Sequence, residues 1–462
     1  MNLSKQKPEI ILIYFAILIE LIFLLYQAFH FPLQGDENEH LYNSYLVFKG
    51  YAPYRDFFEH HNPLLWYILS PLYLFLENNE NIYYVARILT YIQLVTIAYF
   101  TFKISSQLKL QKFFCLLTPL LFFCCNIIKQ EALQLRPDIS MALCSIIGLY
   151  FFICYLDDKK QKNLNLSFCL FFLSFMMLQK SIAAILPVLL YIIILLIQKQ
   201  MRLSEILQAA AIPTILLLLY IFYLFQTDTL SVYFINNYIG NIIYMENTFK
   251  NLQTNTYKNP QIILLLTVSV LSSVFFYIKK EKHLSLFSIY TFLTLLLTIK
   301  LTYALNKHYY IYVITIYSIL FSCLLKKFKL KTLLISLIII QQIYNQINLD
   351  NKNYPPLQKH IALNHFITTH SSPDDLVMLP TDQTGLKLQA AGYYYFGPQD
   401  VIQTMHNIFP YKNLPAKDEI ILNNKPKIIY LDYTPSSKVL TLLDKYYYRV
   451  RISPVTLFVR YF

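Results

Sequence analysis

The chain has 462 residues, is 56% hydrophobic and only 14% charged, and carries a formal net charge of +13. Apolar runs of roughly spanning length recur from residue 10 to about 348, which excludes a soluble globular protein and sets the class as a polytopic α-helical membrane protein. The positive charge does not mark a nucleic-acid surface. It gathers in short linkers between apolar runs, at Lys159, Lys160 and Lys162, at Lys279, Lys280 and Lys282, and at Lys326, Lys327, Lys329 and Lys331. That is the positive-inside pattern.

Taken in chain order, residues 10–29 read as a signal anchor, since no small-residue cleavage site follows before Asp36. Further crossings are expected at 82–102, 112–127, 139–156, 164–178, 181–198, 206–225, 261–278, 284–300, 309–324 and 331–348, about eleven in all. The segment 64–76 is apolar but too short to span. Counting it as a crossing would put every later Lys-rich linker outside, so the charge rule reads it as an interfacial helix. The N-terminus is then cytoplasmic, and 30–81, 128–138, 179–180, 226–260, 301–308 and all residues after 349 share the outer compartment.

The division expected is a transmembrane module over 1–349 and a small extracytoplasmic α/β domain over 350–462. Within the tail, 375–380, 427–433 and 455–462 read as strands, and 384–395 and 436–445 as amphipathic helices. No nucleophile elbow or phosphate loop is found in it. The seven cysteines all lie in or beside apolar runs and form no disulfide framework.

Polar chemistry concentrates on the outer side. Asp36 and Glu37 follow the first span, and Glu59, His60 and His61 follow in the same loop. Asp36 also suits a helix cap, but carboxylates and histidines crowded at a membrane surface favour a general base or metal ligands. Arg136-Pro137-Asp138 opens a crossing. Pro and Asp suit a first helical turn, while a second acid with an Arg beside it also suits phosphate binding. Lys180 lies in a tight outer turn, and Lys307-His308-Tyr309-Tyr310 enters another crossing. Either Lys also fits interfacial anchoring.

These pieces, in this order, resemble the GT-C membrane glycosyltransferases, particularly the branch of protein O-mannosyltransferases and lipid A aminoarabinose transferases. GDENEHLYNSYLVFKGYAPYRDFFEHHNPLLWYIL (35–69) is similar to that family's first outer loop, and ALQLRPDISMALCSIIGLYFF (132–152) to the stretch bringing the second acid. FLSFMMLQKSIAAILP (172–187) and KHYYIYVITIYSIL (307–320) are similar to its later Lys-containing turns. The chain departs from the pattern at Asn62, at Ser181-Ile182 after Lys180, and after Tyr310, where a Pro is absent.

The resemblance implies a glycosyltransferase that moves a sugar, with inversion, from a polyprenyl-phosphate donor to a lipid, glycan or protein acceptor on the outer face of a bacterial inner membrane. Asp36 corresponds to the acid that acts as base or orients the acceptor, and Asp138 to the second acid. Glu37, His60, His61, Arg136, Lys180, Lys307 and His308 are the candidates for binding substrate, His61 and the cations toward the lipid phosphate. No cofactor is required, although Asp36, Glu37, His60 and His61 offer ligands for a divalent cation. The rival readings are a transporter or flippase, for which charged mid-span residues or repeated halves are the expected signs, and a catalytically inert scaffold.

Overall fold

A computed structural model describes residues 8–33, 35–76, 79, 81–243, 260–302, 307–326, 329, 331–350, 357–372, 375–378, 389–390, 416–431, 433–452 and 455–461. Helix α1 (Pro8–His30) has 23 residues, about 34 Å at 1.5 Å per residue, enough for a hydrocarbon core of about 30 Å. The outer loop then folds into α2 (Gly35–Phe48) and the short apolar helical segment α3 (Leu64–Leu76). The bundle continues through α4 (Ile82–Gln107), α5 (Lys112–Cys124), α6 (Asn126–Glu131), α7 (Pro137–Asp158), α8 (Gln161–Met177), α9 (Ile182–Ile197) and α10 (Leu203–Gln226). After α11 (Leu230–Phe234) come α12 (Pro260–Ile278), α13 (Lys282–Thr302), α14 (Ile311–Leu325) and α15 (Lys331–Asp350).

Every expected crossing coincides with a helix. Among the described residues, eight helices are long and apolar enough to cross a membrane. The three that fall short are α5 with 13 residues, α8 with 17, and α15, whose apolar part is Lys331–Gln342. Successive helices run back and forth, so the linkers of Lys159–Lys160 and Lys279–Lys280 lie at the end opposite α2 and α3. Several helices at that end stop through a lysine in the left-handed conformation: Lys109 (φ 60), Lys159 (φ 55), Lys199 (φ 57) and Lys280 (φ 57). Glycine is the usual residue for this cap. Lysine there gives up some backbone comfort for a fixed charge at the membrane edge.

Two buried charged pairs lie inside the bundle. Glu20, midway along α1, accepts from Lys129 Nζ at 2.7 Å, and both side chains are buried. At the first-loop end, Arg87 of α4 forks onto Glu37 through Nε (2.9 Å) and Nη2 (2.6 Å). It also donates to the carbonyls of Phe31 (3.0 Å) and Pro32 (2.7 Å). One side chain thus fixes the corner where α1 gives way to α2.

The tail contains α16 (Leu357–His370), α17 (Lys417–Asn424) and α18 (Ser437–Tyr446) with a five-stranded mixed sheet. The strands are β1 (Leu376–Met378), β2 (Gln389–Ala390), β3 (Ile428–Tyr430), β4 (Tyr447–Ile452) and β5 (Val455–Arg460), in the order β2-β1-β3-β5-β4. β1 pairs parallel with β2 and β3, whereas β5 pairs antiparallel with β3 and β4. The helix expected at 436–445 is α18. Of the amphipathic pattern at 384–395 only Gln389–Ala390 is described, and it is strand rather than helix, because it pairs alongside β1. The tail is packed on the first loop: Leu363, Ile367, Val377 and Ile428 share a buried cluster with Leu41, Tyr45, Leu65 and Tyr73. Asn364 Nδ2 donates to the Tyr83 hydroxyl at 2.5 Å across the junction.

Replacing Arg87 by Ala leaves Glu37 as an uncompensated buried charge. Thermal unfolding in detergent is expected to show a loss of about 3–5 kcal/mol, with membrane insertion retained.

Candidate active site

Asp36 and Glu37 are neighbours in the first turn of α2 but serve different elements. Glu37 is 1% exposed and faces inward to Arg87, and its Oε1 also accepts from the Leu135 amide at 3.1 Å. Asp36 faces a recess at the first-loop end of the bundle, with 47% of its side-chain surface open to water.

Across the recess stands Arg136. Its backbone is extended (φ −141, ψ 154) just before Pro137, and Asp138 occupies the first turn of α7, where carboxylates favour the helix N-terminus. Arg136 Nη2 lies 2.5 Å from Asp36 Oδ2, and its Nε lies 3.6 Å from Asp138 Oδ2. Nη2 also donates to His308 Nε2 at 2.9 Å. Arg136 Nε and Asp138 Oδ1 are buried with no hydrogen-bond partner among the described residues. Burial by itself would raise the Asp36 carboxyl. The Arg136 guanidinium, helped by His40, His61 and His60, instead holds it below the usual carboxylate range.

Lys180 enters from the 3₁₀ turn Gln179–Ser181 between α8 and α9. Its Nζ sits 3.6 Å from the centroid of the Tyr309 ring, a cation–π contact. Asp138, Lys180, Ser181, Thr298, Tyr309 and Tyr312 line one small pocket. Lys307 stands apart: it is exposed and donates from Nζ to Gln130 Oε1 at 3.1 Å.

A second group lies in the first loop. Glu59 Oε1 accepts from the amides of His60 (2.7 Å) and His61 (3.1 Å), and lies 2.8 Å from His61 Nδ1. Asn43 Nδ2 donates to Glu59 Oε2. Glu39, one turn along α2 from Asp36, completes a set with Glu59, His60 and His61 whose ligand atoms all lie within 4.8 Å of one another. Burial, reinforced by the carboxylates of Glu59 and Asp36, drives the Glu39 carboxyl well above its usual range. Burial would raise Glu59 too, but His61 and His60 outweigh it and keep Glu59 ionised well below its usual range. Burial pushes His61 down to about 4 and His40 down to about 3, and His40 Nδ1 accepts from Trp66 Nε1 at 3.2 Å.

Of the residues expected from the sequence, Asp36, Arg136, Asp138 and His308 therefore meet directly, with Lys180 beside Asp138. His60 and His61 are drawn to Glu59. The expected cation ligands Asp36 and Glu37 do not join them, because Arg136 and Arg87 engage those carboxylates. Sequence reasoning did not name Glu39 and Asn43. It also missed Gln179, Asn236 and Asn241, which bind the backbone of the loop. Asn236 Nδ2 donates to the Glu59 carbonyl (3.0 Å), and Asn241 Nδ2 (2.9 Å) and Gln179 Nε2 (3.1 Å) donate to the His60 carbonyl. Asn236 lies in a π-helical turn, Ile235–Gly240, a feature common at functional sites.

The same architecture occurs in solved structures. One is ArnT from Cupriavidus metallidurans bound to undecaprenyl phosphate, at 10% identity and a TM-score of 0.51, covering 97% of this chain and 97% of that one. Another is the oligosaccharyltransferase of Archaeoglobus fulgidus in complex with Zn and sulfate, at 12% identity and a TM-score of 0.51 over 76% of this chain. The fold is GT-C. This chain spans 55% of the length of the oligosaccharyltransferase and nearly all of ArnT. No family model matches the sequence, and no curated protein matches it significantly.

Arg136 Nη2 is shared between Asp36 and His308, so the first-loop acid depends on the second loop for its position. His308→Ala should remove the 2.9 Å bond and loosen the Arg136 side chain while the bundle stays folded. Protection of Arg136 from a guanidine-specific reagent such as phenylglyoxal, compared with wild type, is the measurement, and a fall in protection is expected.

Proposed function

We propose that the protein is a membrane glycosyltransferase that transfers a sugar from a polyprenyl-phosphate donor to a hydroxyl or amine acceptor entering on the first-loop side. The observation that carries this reading is the Asp36–Arg136–Asp138 group. A partly open carboxylate faces a guanidinium whose Nε lies 3.6 Å from Asp138 Oδ2, and neither that Nε nor Asp138 Oδ1 has a hydrogen-bond partner among the described residues. An open acceptor for a proton next to a fixed cation suits a nucleophile and a departing phosphate brought together. The fold shared with ArnT, which was solved with undecaprenyl phosphate, supports the donor class.

In the proposed reaction, the acceptor hydroxyl or amine approaches the anomeric carbon from the Asp36 side. As the new bond to carbon forms, the carbon–oxygen bond to phosphate breaks on the opposite face, and its electron pair leaves with the phosphate oxygen. Asp36 takes the proton of the acceptor. Arg136 and Lys180 balance the charge of the polyprenyl phosphate released. The anomeric configuration inverts in a single displacement. His60 and His61 are turned to Glu59, so in this scheme anion binding falls to Arg136 and Lys180, with His308 holding Arg136. Lys307, outside the recess, serves as an anchor for α6 through Gln130. The bacterial inner membrane, with the first loop and tail outside and the Lys-rich linkers inside, is the setting the charge pattern favours.

The transporter reading gains one observation, the buried Glu20–Lys129 pair inside the bundle. That pair is neutral as a unit and lies within a bundle that shows no repeated halves in sequence. It is weaker support than the acid–Arg–acid group for the transferase.

In proteoliposomes with polyprenyl-phosphate sugars and a cell-envelope acceptor extract, wild-type protein should release polyprenyl phosphate. Asp36→Asn should lower that rate by about 10²–10⁴-fold, with an unchanged melting temperature. No release by the folded wild type with any donor would overturn the reading. Arg136→Lys keeps the charge but loses the planar fork. Donor affinity should fall by about 10–100-fold, the equivalent of one charge-assisted hydrogen bond, measured as a rise in KM for the donor.

A further inference from the structure

We infer that Glu39, Glu59, His60 and His61 form a binding site for one divalent cation of the zinc class, separate from the Asp36–Arg136–Asp138 group. Two carboxylates and two imidazoles neutralise a doubly charged ion and offer the mixed oxygen and nitrogen donors such ions prefer over magnesium or calcium. One ligand atom from each residue already lies within 4.8 Å of the others. The closest approaches, His61 Nδ1 to Glu59 Oε1 at 2.8 Å and His60 Nδ1 to Glu59 Oε1 at 3.4 Å, bracket the edge of a tetrahedron whose bonds are about 2.0–2.1 Å. Ligand atoms up to 4.8 Å apart must approach by as much as about 1.5 Å to reach an edge of about 3.3–3.4 Å.

Two further observations point to a ligand. Glu39 is only 7% exposed, and its Oε1 is buried without a hydrogen-bond partner among the described residues. His60 Nδ1 is buried without a hydrogen bond among the described residues, with Glu59 Oε1 3.4 Å away. Such orphaned polar atoms are costly unless something binds them, and both belong to this one cluster. The residues around it are set to orient the ligands. Asn43 Nδ2 donates to Glu59 Oε2, Asn236 Nδ2 to the Glu59 carbonyl at 3.0 Å, and the Tyr54 hydroxyl to the His61 carbonyl at 2.6 Å. Outer partners of this kind fix the direction of first ligands in metal sites. Asp36 is held by Arg136 and takes no part.

The site does not depend on the transfer reading, and its test reads the metal directly. Full-length protein in detergent is stripped with a chelator, titrated with Co²⁺, and then competed with Zn²⁺. The expected result is one Co²⁺ per chain, with the intense visible absorption of a four-coordinate ion, abolished by Zn²⁺. Glu39→Gln and, independently, His60→Ala should each weaken Co²⁺ binding by at least about 10–100-fold, while Asp36→Asn binds like wild type. A folded wild type with no saturable Co²⁺ site would overturn the proposal. So would Glu39→Gln and His60→Ala variants that melt and bind as wild type does. Loss of Co²⁺ in Asp36→Asn as large as in Glu39→Gln would also overturn it, by moving the ion to the Asp36 recess.

Discussion

A charge at the edge of a low-dielectric bundle has to be paired or solvated, and that requirement separates Asp36 from Glu37. Adjacent helical residues point about 100° apart, so only one of the two can turn inward. Glu37 does so, and the bidentate Arg87 fork with its two carbonyl bonds makes that orientation the stable one. The rotation of α2 about its axis is thereby set. Asp36 is left facing the recess and Glu39, one turn on, faces the loop of Glu59. The interaction that carries no chemistry decides where the chemical residues point.

The rest of the site is assembled from helix ends rather than from loops that move freely. Arg136 is the extended residue before a Pro-initiated helix, Lys180 sits in a single 3₁₀ turn between two helices, and His308 precedes α14 in another such turn. The loop of Glu59 has little regular structure of its own. It is held by side chains that cap its carbonyls: Tyr54 on His61, Asn236 on Glu59, and Asn241 and Gln179 on His60. Asn62 joins this scaffold by donating to the Phe175 carbonyl (2.5 Å) and accepting from the Tyr233 hydroxyl (2.8 Å). Where the related pattern has a proline, this chain uses the amide to tie the loop to α8 and α11.

The long helices were legible because an apolar run of about twenty residues has few alternatives, and 64–76, read as non-spanning from charge parity, is a helical segment too short to cross. Asp36, Arg136 and Asp138 were singled out by their order along the chain, and their side chains do meet. What the sequence could not reveal was partner choice. Arg87 reads as an ordinary residue near a helix start, and only the fold shows it claiming Glu37. Glu39 sits in the same acidic run as Asp36, but its relation to Glu59 joins positions 20 residues apart through an irregular loop, with no fixed spacing to advertise it. Asn236 is farther still, and the pair Asn236-Asn237 in an aromatic stretch carries no signal. The reading of 384–395 as helix failed at Gln389–Ala390 because amphipathic spacing over a short window cannot anticipate pairing with β1.

Arg136 links the two halves of the proposed reaction. With Arg136 at 2.5 Å, Asp36 is stabilised as an anion and is a weak proton acceptor. In the proposed reaction a phosphate competes for the same guanidinium, and each donor it draws away leaves Asp36 less stabilised as an anion and more basic. Asp138 at 3.6 Å and His308 at 2.9 Å hold Arg136 in place. On that proposal donor binding and activation of the acceptor are coupled: the carboxylate is quenched by an ion pair without an anion beside it, and becomes a better base once a phosphate shares the cation.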